Sequence, residues 1–109
     1  MQVWTTAKRL CKFEADTVAA GSARRLFESG GVSANTSSRI VVWVHNAGSS
    51  GDIWYRKVAA GAVIPTINAT SKMGRIQPGE TIPIGIEETI DLAIIASTGS
   101  IAYAAWEEA

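Results

Sequence analysis

Short apolar stretches, each broken by turn-forming residues, run along most of this chain, and their spacing is that of strands. Arg39–Asn46 (RIVVWVHN) is β-branched and aromatic and predicts the strongest strand. Residues 53–58 (IWYRKV) follow after a loop, so the two could pair as a hairpin. In residues 81–86 (TIPIGI), Ile82, Ile84 and Ile86 share one face and Pro83 and Gly85 the other. Proline has no N–H for a ladder, which places this strand at an edge or gives it a break. Ile90–Ala96 (IDLAIIA) reads as a buried strand with Asp91 at its start. Residues 100–106 alternate Ile101, Tyr103 and Ala105 against Ala102, Ala104 and Trp106. Nearer the N-terminus, Cys11, Phe13 and Ala15 alternate with Lys12, Glu14 and Asp16, which favours another strand. Residues 23–28 (ARRLFE) fit either a strand or one helical turn.

Short strands without helical periodicity between them predict an all-β antiparallel sandwich, jelly-roll-like or Ig-like. A parallel sheet would need crossover helices, and no such pattern is present. The expected core is Ile40, Val42, Val44, Ile82, Ile84, Ile86, Leu92, Ile94 and Ile101. The 109 residues suit one domain, with the sandwich expected over 37–109. Residues 1–28 are either an N-terminal contact arm or one or two further strands.

Hydrophobic residues make up 47% of the chain and charged residues 18%, a globular composition slightly poor in charge. Such a surface has apolar area to spare for a partner. The single cysteine, Cys11, cannot close an internal disulfide. Neither a signal peptide nor a membrane span is legible, so synthesis in a reducing cytoplasm is expected. The formal net charge is zero but unevenly spread. Residues 1–79 hold all ten Lys and Arg with four acids, and residues 80–109 hold six acids and no base. Folding either interleaves these charges or leaves a dipole.

Catalytic chemistry finds little support. His45 is the only histidine, and by alternation it shares a face with Val41 and Trp43, away from the more apolar face. No nucleophile or carboxylate motif accompanies it. One Cys and one His cannot complete a zinc site, and Glu87, Glu88 and Asp91 lack the ligand spacing of a calcium loop. No metal, cofactor or enzymatic activity is therefore expected. The Gly48–Gly51 run lacks the Lys-Ser/Thr of a phosphate loop, and Arg24-Arg25 is too short a basic tract to suggest nucleic acid. Asn35 and Asn68 stand in glycosylation-type triplets, read as chance.

Four tryptophans are many for this length. Tryptophan is enriched at the centres of protein contacts. Trp4 and Trp106, near the termini, are either docked into the fold or dock onto a partner. The candidate interface residues are Trp4, Arg24, Arg25, Phe27, Trp43, His45 and Trp106.

The order of features from Ser37 onward resembles a known group. A Ser-Ser-Arg leads into a strand ending His45-Asn46-Ala47-Gly48, followed by Ile53-Trp54-Tyr55. Ile76-Gln77-Pro78-Gly79-Glu80 forms a Pro-Gly-Glu turn, and Asp91–Ala96, Ser97-Thr98-Gly99-Ser100 and a strand ending Glu107-Glu108 close the chain. This pattern resembles the small β-sandwich accessory proteins of tailed bacteriophage particles, especially head decoration (cement) proteins. The resemblance implies a virion protein on the capsid surface that binds between major capsid protein subunits, with no cofactor, nucleic acid or membrane partner. A tail or baseplate accessory module and a carbohydrate-binding sandwich are the alternatives. If the charge halves stay apart, contacts between unlike surfaces favour a trimer over a two-fold dimer.

Overall fold

The computed structural model describes residues 10–27, 39–87 and 89–108. These form eight strands and, among the described residues, no helix: β1 (Leu10–Ala19), β2 (Arg24–Arg25), β3 (Arg39–Asn46), β4 (Ile53–Ala59), β5 (Gly74–Ile76), β6 (Thr81–Glu87), β7 (Ile90–Ala96) and β8 (Ser100–Glu108). They build two four-stranded antiparallel sheets, sheet A in the order β1-β8-β3-β6 and sheet B in the order β2-β7-β4-β5. First pairs with last and so on inward: β1 with β8, β2 with β7, β3 with β6 and β4 with β5. That nesting is the double-sheet jelly-roll arrangement.

The hairpin expected between residues 40–46 and 53–58 does not form. β3 lies in sheet A and β4 in sheet B, so residues 47–52 arch between the sheets. Each strand has apolar residues to bury on its inner face, and facing each other across the sandwich buries both sets at once. Pro83 does lie on an edge strand, β6. Residues 10–25 resolve the choice at the N-terminus for their part: they supply β1 and β2, paired to β8 and β7.

The main core joins Val42, Val44, Ile84, Ile86, Leu92, Ile94 and Ile101, all expected, to Val18, Leu26, Ile53, Ile76, Ala96, Tyr103 and Ala105. Ile82 is only partly buried against it. The Ile40 side chain lies outside the described residues. Asn46 is fully buried at the end of β3 and fastens two connections together. Its Nδ2 donates to Ile76 O at 2.8 Å and Gly51 O at 3.1 Å, and its Oδ1 accepts from Gly48 N at 2.9 Å. The Gly79 N–H and Glu80 carbonyl bond to its backbone. The Pro-Gly-Glu turn thus sits on the Asn46 loop, with Gly79 at φ 81 as the third residue of a type II turn requires.

Residues 60–73 fold across the outer face of sheet B. Ile67 of this connection, with Ile64 beside it, packs on Val58, Ala93, Ile95 and Trp54 as a second, smaller core. β7 is therefore buried from Asp91 to Ala96 on both faces. Asp91 is neutralised under this cover by Arg25, Nη1 to Oδ2 at 2.9 Å, with side chains 5% and 0% exposed. Arg25 also donates to the carbonyls of Ala59 and Ala62, tying the connection to the pair. Asn68 staples its own turn by accepting from Thr70 and Ser71, a structural use of that triplet.

Candidate binding face

Strand register builds one continuous row of rings across the outer face of sheet A. Phe13 on β1 is opposite Trp106 on β8, Trp106 opposite Trp43 on β3, and Trp43 opposite Pro83 on β6. The two indoles lie nearly parallel, with centroids 6.5 Å apart and planes 11° apart. Phe13 is 62% exposed, and Trp43 and Trp106 are half-buried. On one side of the row lie Ala15, Ala104, His45 and Thr81, again in register. His45 Nδ1 and Thr81 Oγ1 are 2.8 Å apart. On the other side lie Glu108, Val41 and Gly85. The Trp43 Nε1–H donates to Glu108 Oε1 at 2.6 Å, fixing the ring on the sheet.

The face is thus aromatic at its centre, with polar side chains, Glu108 on one side and His45 and Thr81 on the other, flanking the rings. Among the described side chains of these three rows, Glu108 carries the only formal charge. Aromatic side chains keep little conformational entropy to lose on contact, and their edges and faces take both apolar and polar partners.

The sequence-derived interface residues separate into groups. Trp43, His45 and Trp106 are brought together on this face. Arg24 is 41% exposed at the β1–β2 side, where it bonds Asp16 at 3.0 Å and approaches Glu14 at 3.7 Å. Arg25 is a correction: buried beneath residues 60–73 and paired with Asp91, it presents no guanidinium to a partner. Phe27 also turns inward. It packs partly buried on the main core, and its N–H donates to Glu14 Oε1 at 3.0 Å. Trp4 lies outside the described residues. Phe13, Pro83, Thr81 and Glu108 belong to the face but were missed. Only the β1–β8 and β3–β6 registers align them with the tryptophans, and strand alternation carries no register.

Two other places hold polar groups. Glu14 gathers the Tyr103 hydroxyl, the Phe27 N–H and the Arg24 side chain at the β1 side of the sandwich. Burial first, then the hydrogen bond to Glu14 and that carboxylate's charge, push the Tyr103 phenol far above its ordinary range, so it stays protonated. An open recess of about 240 Å³ lies beside it, lined by Thr17, Val18, Ala19, Ser22, Ala23 and Arg24. Among the described residues, no group of three or more metal-binding side chains converges.

No family model matches the chain, and neither does a curated protein or a solved structure.

Proposed function

We propose that this protein is a non-catalytic virion protein of a tailed bacteriophage that decorates and stabilises the capsid, burying the outer face of sheet A against neighbours in the shell. The observation that carries this is the ring row Phe13–Trp106–Trp43–Pro83, which no described segment covers, while residues 60–73 cover the outer face of sheet B. Tryptophan-centred, charge-poor patches of this kind act as contact centres between proteins. The resemblance of residues 37–109 to head decoration proteins supplies the shell and its major capsid protein as partner. The jelly-roll order supports the reading by analogy alone, since shell-forming domains share it with lectins. A weak contact repeated over many sites on a particle becomes effectively permanent.

Binding of the purified protein to capsids lacking it tests the reading. Wild-type protein should co-sediment with the particles, and Trp43→Ala with Trp106→Ala should abolish this without unfolding the sandwich. A double variant that binds as wild type, or wild type that never binds, defeats it. The near-parallel indoles favour a second reading, a carbohydrate-binding sandwich in which sugar rings stack on the row. Retention on a glycan array that depends on the same two tryptophans would select it instead.

A further inference from the structure

On the outer face of sheet B, the margin of the cover formed by residues 60–73 carries a cluster of positive charge. Residues 53–79 hold Arg56, Lys57, Lys72 and Arg75 and no acid. They form no linear basic tract, but the fold draws three of them around one indole. Trp54 and Arg56 alternate along β4 with Ile53 and Tyr55, which pack on the main core, so they take the outer face. Arg75 is directly opposite Trp54 on β5 and shares that face. Lys72, near the end of the covering connection, sets its Nζ 5.6 Å from the centre of the Trp54 ring. Cross-strand neighbours lie about 5 Å apart and next-but-one residues of a strand about 7 Å, so Arg56, Lys72 and Arg75 all border the same tryptophan.

These heads are held in place without being neutralised. Arg56 Nη1 donates to the Ser71 carbonyl at 2.8 Å, and Lys72 Nζ to the Ala69 carbonyl at 2.6 Å. A carbonyl takes the hydrogen bond and leaves the charge. The Arg75 side chain is 57% exposed, and Asp52, whose Oδ2 lies 3.6 Å from Arg75 Nη1, brings one carboxylate to three cations. β5 is the outermost strand of sheet B, so no further strand of that sheet lies beyond Arg75.

We propose that this cluster is a second contact surface, separate from the ring row, and that its partner is an acidic protein segment. Charge complementarity selects an anion. A second copy meeting the same surface would set cation against cation. The guanidinium forks of Arg56 and Arg75 suit carboxylate and phosphate alike. The Trp54 ring decides between them. Single-stranded nucleic acid is held largely by bases stacking on open aromatic rings. Here the ring is engaged by Lys72 and packs on the second core, so it offers no open stacking platform. Met73, next to Lys72 and 57% exposed, adds a residue type that protein contacts favour.

The test is fluorescence anisotropy of the full chain with labelled probes, with thermal melts to confirm that each variant is folded. The probes are oligoglutamate, oligolysine and a thymidine oligonucleotide matched to the oligoglutamate in charge. Wild type should bind oligoglutamate at low salt in preference to the other two, and salt should weaken that binding. Arg75→Gln, at an exposed position, should weaken it by about threefold, the scale of one exposed charge pair. Lys57→Gln makes the same change of net charge, but alternation puts Lys57 on the side of β4 away from Trp54, and this variant should bind as wild type. Lys72→Glu with Arg75→Glu should lose oligoglutamate and take up oligolysine instead.

Wild type that ignores oligoglutamate at low salt overturns the inference. So does a loss at Lys57→Gln equal to that at Arg75→Gln, which would make the effect one of net charge and not of this cluster. Tighter binding of the thymidine oligonucleotide than of oligoglutamate overturns it in favour of nucleic acid. A folded double-reversal variant that still prefers oligoglutamate also overturns it. Capsid binding through Trp43 and Trp106 is measured with other variants and another partner, so either reading can fail while the other stands.

Discussion

The two outer faces of this sandwich receive opposite treatment. On sheet B, Ala93, Ile95 and Val58 are sealed under residues 60–73, and the charge among them, Asp91, is matched by Arg25. On sheet A, no described segment covers the ring row, and Phe13 keeps 62% of its surface exposed. A sheet face can shed apolar surface by folding chain over it or by keeping that surface for a partner. This protein does the first on one side and has the composition of the second on the other.

Breaking the cover of sheet B should have the largest effect. Arg25→Met leaves Asp91 buried without its guanidinium and should cost about 3–5 kcal/mol in chemical denaturation. Adding Asp91→Leu to it should recover part of the loss, because the uncompensated charge is gone. A cost below 1 kcal/mol for the single change would show that water reaches the pair. Next comes the cover itself. Ile67, 4% exposed, is the residue of the connection most deeply packed on sheet B, and Ile67→Ala should cost about 2–4 kcal/mol.

The inner side of sheet A offers a pH-dependent contrast. The phenol pKa of Tyr103 is raised on folding, so its contribution is fully present below the unfolded value of about 10 and is lost as pH rises beyond it. Urea midpoints of wild type should fall above about pH 10 more steeply than those of Tyr103→Phe. At pH 7 that variant should be less stable by about 1–2 kcal/mol, having left Glu14 short of a donor. Parallel alkaline limbs would show that the phenol ionises as readily folded as unfolded.

The ring row should matter least to stability. Trp106→Ala removes a stacked partner from Trp43 and should cost about 0.5–1.5 kcal/mol. Phe13→Ser should stay within about 0.5 kcal/mol of wild type. A loss at Phe13 as large as that at Ile67 would mean that the row is held by the protein's own chain rather than kept open.

Much of the sandwich was legible in the residue pattern. β3 and β7 match their sequence-derived bounds, β4, β6 and β8 extend them slightly, and Pro83 marked an edge strand. Period-two alternation is a local property, written in each strand by the face it buries. The same rule placed His45 outside with Trp43, and Ile84 and Ile86 inside.

Only the tertiary structure decided which strands are neighbours. Nothing in RIVVWVHN or IWYRKV says that they lie in different sheets, because either partner would bury the same apolar face. Arg25 has the sequence of a solvent-facing cation beside Arg24, and its burial depends on Asp91, 66 positions away, and on a connection folding over both. Asn46 is polar in sequence and buried in the fold because two backbone groups of the connection after it, at Gly48 and Gly51, and a third at the end of β5, Ile76, converge on its amide. The ring row is likewise a product of register: Phe13, Trp106, Trp43 and Pro83 come from four strands, and only the hydrogen-bonded ladders between those strands bring them into line.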